Sequence, residues 1–286
     1  CRFANVLKKK GVGKCDYVSI YLPMVPELVI AVLACARIGA IHCVVFSGFS
    51  SVSLQGRMLD CQSKVLITAD AVIRAGRTIP LKPNADEAME ECRQVESCIV
   101  VRRTDRDITM KSDRDSWWHE EIIAPDIKNS CDAEEMDSDD ALFVLYTSGS
   151  TGKPKGVVHS TGGYLLYAMH TSQLVFDLQD DDIFWCTADL GWITGHSYTI
   201  YGPLGLGGTS LIYEGIPLYP EPDRFWQIVE IRESTACYAG TGLVAFCRAS
   251  QVNCKASPSE LTVTYTVPPC SDNSPNKTSS ASGFLI

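Results

Sequence analysis

The chain has 286 residues, 45% of them hydrophobic and 21% charged, with a formal net charge of -9. That length and apolar content suffice for one large domain or two ordinary ones. The acidic balance argues against nucleic acid as the main partner, because no stretch carries the dense lysine and arginine that releases counterions from a phosphate backbone.

Residues 16–46 read as strand (16–22), helix (26–39) and strand (41–46), with Pro26 opening the helix and Gly39 closing it. Apolar, β-branched runs predict further strands at 64–68, 98–101, 141–146, 183–187 and 209–213, and helical patterns fall at 164–170 and 224–231. Strands alternating with helices imply an α/β fold with a substantially parallel sheet. The acidic stretch 132–140 reads as a surface loop feeding the strand at 141. Residues 257–282 are crowded with Ser, Thr, Pro and Asn, so they are expected to be disordered, lacking the apolar groups that would offset the entropy of ordering. No internal repeat is present.

The longest apolar run, 28–35, is too short to span a bilayer and is soon followed by Arg37, so no membrane partner is expected. Thirteen cysteines are dispersed, odd in number and mostly set in apolar runs, which fits free buried thiols in a reducing compartment. No short C-x-x-C or H-x-x-x-H spacing occurs, and no protein-held metal is expected. The chain starts at Cys1 with neither an initiator Met nor a leader, which reads as a lost N-terminus.

The most informative segment is Tyr146-Thr147-Ser148-Gly149-Ser150-Thr151-Gly152-Lys153-Pro154-Lys155-Gly156. An apolar strand delivers the chain into a loop of hydroxyls, glycines and two lysines, with an apolar helix expected to follow. Glycine lets backbone amides turn toward an anion, hydroxyls donate to phosphate oxygens and lysine adds charge. This is a phosphate cradle. It is not the P-loop of kinases and GTPases, because Lys153 is followed by Pro154 and not by Ser or Thr. Two further clusters stand out. Arg74-Ala75-Gly76-Arg77, with Lys82 nearby, can present guanidinium forks to phosphates or can be a solvated basic turn. Asp189-Leu190-Gly191-Trp192-Ile193-Thr194-Gly195-His196 can wall a small pocket with an indole or can be core packing.

Residues 146–156 resemble the phosphate-binding motif of the adenylate-forming enzymes, the superfamily of acyl-CoA synthetases, luciferases and peptide-synthetase adenylation domains. Residues 21–27, 33–40 and 185–198 are similar to its short-chain branch, the acetyl-CoA synthetase family above all, and the similarity runs to about residue 235. The resemblance implies an acetate-CoA ligase: ATP and acetate give acetyl-AMP and pyrophosphate, and CoA then takes the acetyl group. It implies ATP with Mg2+ and CoA as small-molecule partners. Thr147, Ser148, Gly149, Ser150, Thr151, Gly152, Lys153 and Lys155 would grip the ATP phosphates. Arg74, Ala75, Gly76 and Arg77 would hold the nucleotide end of CoA, with Thr194 near its thiol arm, and Trp192 and Ile193 would line the acyl pocket. Ser47 and Leu218 depart from residues common in the family and stay outside this set.

On this reading residues 1–235 are part of the large N-terminal AMP-binding domain, and 236–286 form a divergent tail. The family's later adenine-binding motifs, its ribose-binding aspartate and its small C-terminal domain with the adenylation lysine have no counterpart here, so no catalytic residue is assigned and the fragment alone is expected to be inactive. A propionate-CoA ligase, a phosphotransferase using the glycine-rich loop directly, and a non-catalytic nucleotide- or CoA-binding fragment are the alternatives. The cytoplasm and the mitochondrial matrix are the expected compartments.

Overall fold

A computed structural model describes residues 1–147, 154–216, 218–231, 236–238 and 263–265. In chain order the first half comprises α1 (Arg2–Lys9), β1 (Tyr17–Tyr21), α2 (Pro26–Arg37), β2 (Ile41–Val44), α3 (Ser51–Cys61), β3 (Val65–Ala69), β4 (Ala71–Arg74), β5 (Arg77–Pro80), α4 (Lys82–Met89), β6 (Ser97–Val101), β7 (Asp115–Trp117) and α5 (Trp118–Ile123). Then follow β8 (Ala141–Thr147), β9 (Lys155–Ser160), α6 (Thr161–Leu174), β10 (Ile183–Cys186), α7 (Ile193–Gly195), a π-helical turn (His196–Tyr201), α8 (Gly202–Gly205), β11 (Thr209–Ile212), α9 (Arg224–Ile231), β12 (Ala236–Tyr238) and β13 (Val263–Tyr265).

The principal sheet has seven strands in the order β7-β6-β3-β1-β2-β8-β9. All its pairings are parallel except β8 with β9. β1, β2 and β3 are buried almost throughout and mostly apolar, as strands covered on both faces are, with Ser19, His42 and Thr68 as their buried polar residues. Helix α2 begins with Pro26 at its first turn and is followed by Gly39 at φ +68. A side chain at Gly39 would also meet Met136 Sδ at 2.8 Å, so the helix stop and the close approach of the 132–140 segment both need glycine.

A second sheet, ordered β12-β10-β11-β13, is parallel at β12-β10-β11 and antiparallel at β11-β13. β4 and β5 form a separate two-stranded hairpin. The expected strands and helices are all present with shifted ends, and the parallel α/β character holds. One expectation needs correction: the glycine-rich segment does not lead straight into a helix, because the edge strand β9 comes between it and α6. The disorder expected for 257–282 concerns residues outside the described set, apart from β13.

Candidate functional site

Ligands of open α/β sheets gather at the carboxyl ends of parallel strands. β1, β2, β3 and β8 end on one edge of the principal sheet. The connections leaving that edge carry the Phe46–Phe49 loop after β2, the basic hairpin after β3 and the glycine-rich segment after β8.

In the basic hairpin Arg74 and Arg77 are opposed at the ends of β4 and β5. Ala75 (φ +50) and Gly76 (φ +69) make the connection, and positive φ at both central residues is what a two-residue hairpin of the right twist requires. A Cβ on Gly76 would collide with the Tyr219 hydroxyl oxygen, so the turn tip is also closely covered. The Arg74 guanidinium carbon stands 5.2 Å from the centre of the Phe46 ring. Arg74, Gly76 and Arg77 are exposed.

Lys82, expected beside these arginines, is committed elsewhere. Its ammonium is 1% exposed, lies 2.7 Å from Asp86 Oδ1 and 2.8 Å from Asp115 Oδ2, and donates to the Thr109 carbonyl at 3.0 Å. Arg114 reaches the same two carboxylates. A buried ammonium satisfied by two carboxylates is not free for a ligand.

Trp192 and Ile193 are 46% and 39% exposed, so the turn they occupy is not core packing. The Trp192 ring meets Phe46 at 4.9 Å and 66°, and Phe49 at 6.4 Å. Phe46 is therefore shared by the Arg74 guanidinium and the Trp192 indole as a contact. Nearby, the Leu190 amide donates to Met24 Sδ at 3.4 Å and Asp189 Oδ1 accepts the Gly191 amide at 2.7 Å. Burial lifts Asp189 to about 6, opposed by the Gly191 amide and by Arg74. Thr194 lies in α7, its carbonyl accepting from the Cys186 thiol at 3.8 Å.

His196 is fully buried behind this turn. Its amide donates to the Trp192 carbonyl and its Nδ1 lies 3.2 Å from the same oxygen. The ring stacks on Phe143 (4.6 Å) and His42 (5.4 Å), and His42 Nε2 is 2.7 Å from the Tyr201 hydroxyl. Burial pulls His196 down to about 4, so it is a neutral support for Trp192, in keeping with a structural role.

Thr147 and Lys155 face each other as the last pair of the β8-β9 ladder, both exposed. The connecting residues Ser148, Gly149, Ser150, Thr151, Gly152 and Lys153 lie outside the described residues. The strand end is tied to the rest of the site: the Tyr146 hydroxyl donates to Asp60 Oδ2 at 2.5 Å, and the Arg57 guanidinium lies over the rings of Tyr146 (5.5 Å) and Phe49 (4.7 Å). Phe46, Phe49, Arg57 and Tyr219 thus join elements far apart in sequence, and only the aromatic-glycine run Phe46-Ser47-Gly48-Phe49 could have drawn attention beforehand.

Among the described residues no group of three or more His, Cys, Asp or Glu could hold a metal ion, and no helix is long and apolar enough to cross a membrane. Nine cysteines among them are free thiols, seven of them buried.

The family model described as AMP-binding enzyme matches residues 1–271. The chain is 57% identical over 246 residues to an acetyl-coenzyme A synthetase of Rubrobacter xylanophilus, covering 86% of the chain and 38% of the relative. It is 56% identical over 252 residues to that of Parvibaculum lavamentivorans, covering 88% and 39%. Among solved structures, the acetoacetyl-CoA synthetase of Streptomyces lividans superposes with a TM-score of 0.74 at 28% identity, over 83% of this chain and 36% of that one. The chain therefore spans well under half the length of the curated relatives it matches.

Proposed function

We propose, since the chain belongs to the AMP-binding enzyme family, that it carries the polyphosphate- and CoA-binding part of an acetate-CoA ligase. At the scale of the full-length relatives, of which the chain spans 38% or 39%, the reaction is two-step. An acetate oxygen attacks the α-phosphorus of ATP and pyrophosphate leaves. The CoA sulfur then attacks the acetyl carbon and AMP leaves. For the 286 residues themselves, the proposal is binding of the ATP polyphosphate and of CoA.

Roles follow from chemistry and position. Thr147, Ser148, Gly149, Ser150, Thr151, Gly152, Lys153 and Lys155 supply hydroxyls, amides and ammonium groups that hold the β- and γ-phosphates and then the departing pyrophosphate. Magnesium, arriving with the nucleotide, neutralises phosphate charge. Arg74 and Arg77, exposed on the hairpin and offering rigid forks, bind phosphates at the nucleotide end of CoA. Trp192 and Ile193 bound a small acyl pocket, with Thr194 toward the thiol arm. The observation that carries the reading is that the Phe46 ring contacts both Arg74 and Trp192: one ring links the proposed CoA end to the proposed acyl end at the sheet edge.

The test is calorimetry of ATP and of CoA on the 286-residue chain, beside exchange of labelled pyrophosphate into ATP by a full-length ligase carrying this segment. A ligase exchanges only when acetate is added. A phosphotransferase shows no acetate-dependent exchange. A chain that only binds gives calorimetric heats with ATP and CoA and no exchange. Comparing acetate with propionate in the same assay settles the acyl preference.

A further inference from the structure

The basic hairpin raises a physical problem. A two-stranded hairpin alone is marginal in water, and from Ile73 onward β4 and β5 are exposed. If Arg74 and Arg77 are to present a fixed pair of forks, something outside the hairpin must hold it. The side chain that does so comes from the other sheet.

Glu214 follows β11, 141 residues along the chain from Ile73, and its carboxylate is 6% exposed. Its Oε1 accepts the Ile73 amide at 3.1 Å, one residue before Arg74. Its Oε2 accepts the Arg103 guanidinium at 2.7 Å from Nε and 2.6 Å from Nη2. Arg103 is itself fixed. Its amide, with the Thr104 and Arg106 amides and the Thr104 hydroxyl, donates to Asp70, the residue preceding β4. The hairpin base, the 103–106 loop and the second sheet thus close a ring of charge-assisted bonds through one carboxylate. The same segment then brings the Tyr219 hydroxyl onto Gly76 at the turn tip.

We infer that Glu214 is a positioning residue for CoA: it holds the Ile73 amide so that the Arg74–Arg77 hairpin is set for the ligand's phosphates before the ligand arrives. Without it, CoA must order the hairpin on binding and its affinity falls by that cost. The inference rests on the proposed role of the hairpin in CoA binding.

The test is titration calorimetry of CoA and, separately, MgATP into the 286-residue chain, with wild type, Glu214→Ala, Glu214→Gln and Arg74→Ala. Losing one charge-assisted bond to the backbone is expected to weaken CoA about tenfold in Glu214→Ala and to leave MgATP within about twofold. Glu214→Gln keeps an acceptor for the Ile73 amide and restores most of the CoA affinity, which general destabilisation would not produce. If Glu214→Ala does not fold, Arg103→Ala takes its place. It leaves the Ile73 bond but unpins the carboxylate, and about a threefold loss for CoA alone is expected. Unchanged CoA affinity, an equal loss for MgATP, or Gln no better than Ala overturns the inference. If Arg74→Ala weakens CoA while Glu214→Ala does not, the inference alone fails. If the wild type binds no CoA, or Arg74→Ala leaves it unchanged, the reading of the hairpin fails and takes the inference with it.

Discussion

Lys82 offers a sharp separation of support from ligand binding, because its proximity to Arg74 and Arg77 in sequence suggests a phosphate contact while its surroundings say otherwise. The Lys82→Met substitution keeps the aliphatic stem and removes the charge. It leaves Asp115, whose side chain is 0% exposed, with Arg114 as its remaining cation, and removes one of the two cations on Asp86. Taking one partner from a buried ion pair costs about 3–5 kcal/mol; because Arg114 remains, the lower end, about 3 kcal/mol, applies. For a domain of this size that is a fall in Tm of about 6–12 °C. Burial opposes ionisation of Asp115, but hydrogen bonds from Arg114 and Lys82 outweigh it and hold its pKa below the ordinary carboxylate value. The sign follows: a carboxylate depressed in the folded state contributes stability that is present at neutral pH and lost as pH falls below about 4. Lys82→Met should flatten that acid limb. Urea unfolding followed by circular dichroism from pH 3 to 7, beside CoA calorimetry at pH 7, decides the matter. A loss under about 1 kcal/mol together with a large loss of CoA affinity would instead make Lys82 a ligand contact.

Two buried groups beside the proposed acyl turn should pull stability in opposite directions over the same pH range. Asp189, raised to about 6, favours the folded state at low pH and loses that contribution as pH rises from about 4 to 6; His196, lowered to about 4, adds stability as pH rises from about 4 to 6.5. Asp189→Asn should therefore steepen the rise of stability across pH 4–6.5, and His196→Gln should turn it downward, each by about 1–2 kcal/mol in denaturant titrations; parallel profiles would contradict the assignment. Gly76→Ala forces a side chain into positive φ and against the Tyr219 hydroxyl, so a several-fold loss of CoA affinity with a stability change of about 1–2 kcal/mol is expected by calorimetry and thermal unfolding. In a full-length ligase carrying this segment, Ile193→Ala removes three carbon atoms from the proposed acyl wall and should raise the propionate-to-acetate ratio in pyrophosphate exchange about tenfold.

The parallel sheet was legible because its strands are short β-branched runs with clear stops: Pro26 and Gly39 bracket α2, and β1, β2 and β3 are mostly apolar, as strands buried on both faces are, with Ser19, His42 and Thr68 as their buried polar residues. β9 was not, because Lys155–Ser160 is an edge strand with mostly exposed side chains and lacks an alternating pattern. The β4-β5 hairpin was hidden by its turn, since Ala75 is a poor signal for positive φ where Asn or Asp would have announced it. The candidate residues could be located from motifs, but the contacts uniting them could not. Asp60 with Tyr146 lies 86 residues apart, Lys82 with Asp115 joins a helix to an edge strand, and Glu214 reaches back to Ile73. Such pairings depend on strand order, which spacing does not encode.

The proposed division of labour gives the segment between Thr147 and Lys155 to the nucleotide's phosphates and the Arg74–Arg77 hairpin to CoA. Calorimetric titration of MgATP and of CoA into Lys155→Ala and Arg74→Ala tests it in one matrix. A crossed result is expected, with Lys155→Ala weakening MgATP about tenfold and sparing CoA, and Arg74→Ala doing the reverse. Both ligands unaffected, or each variant weakening the other's ligand, would contradict it.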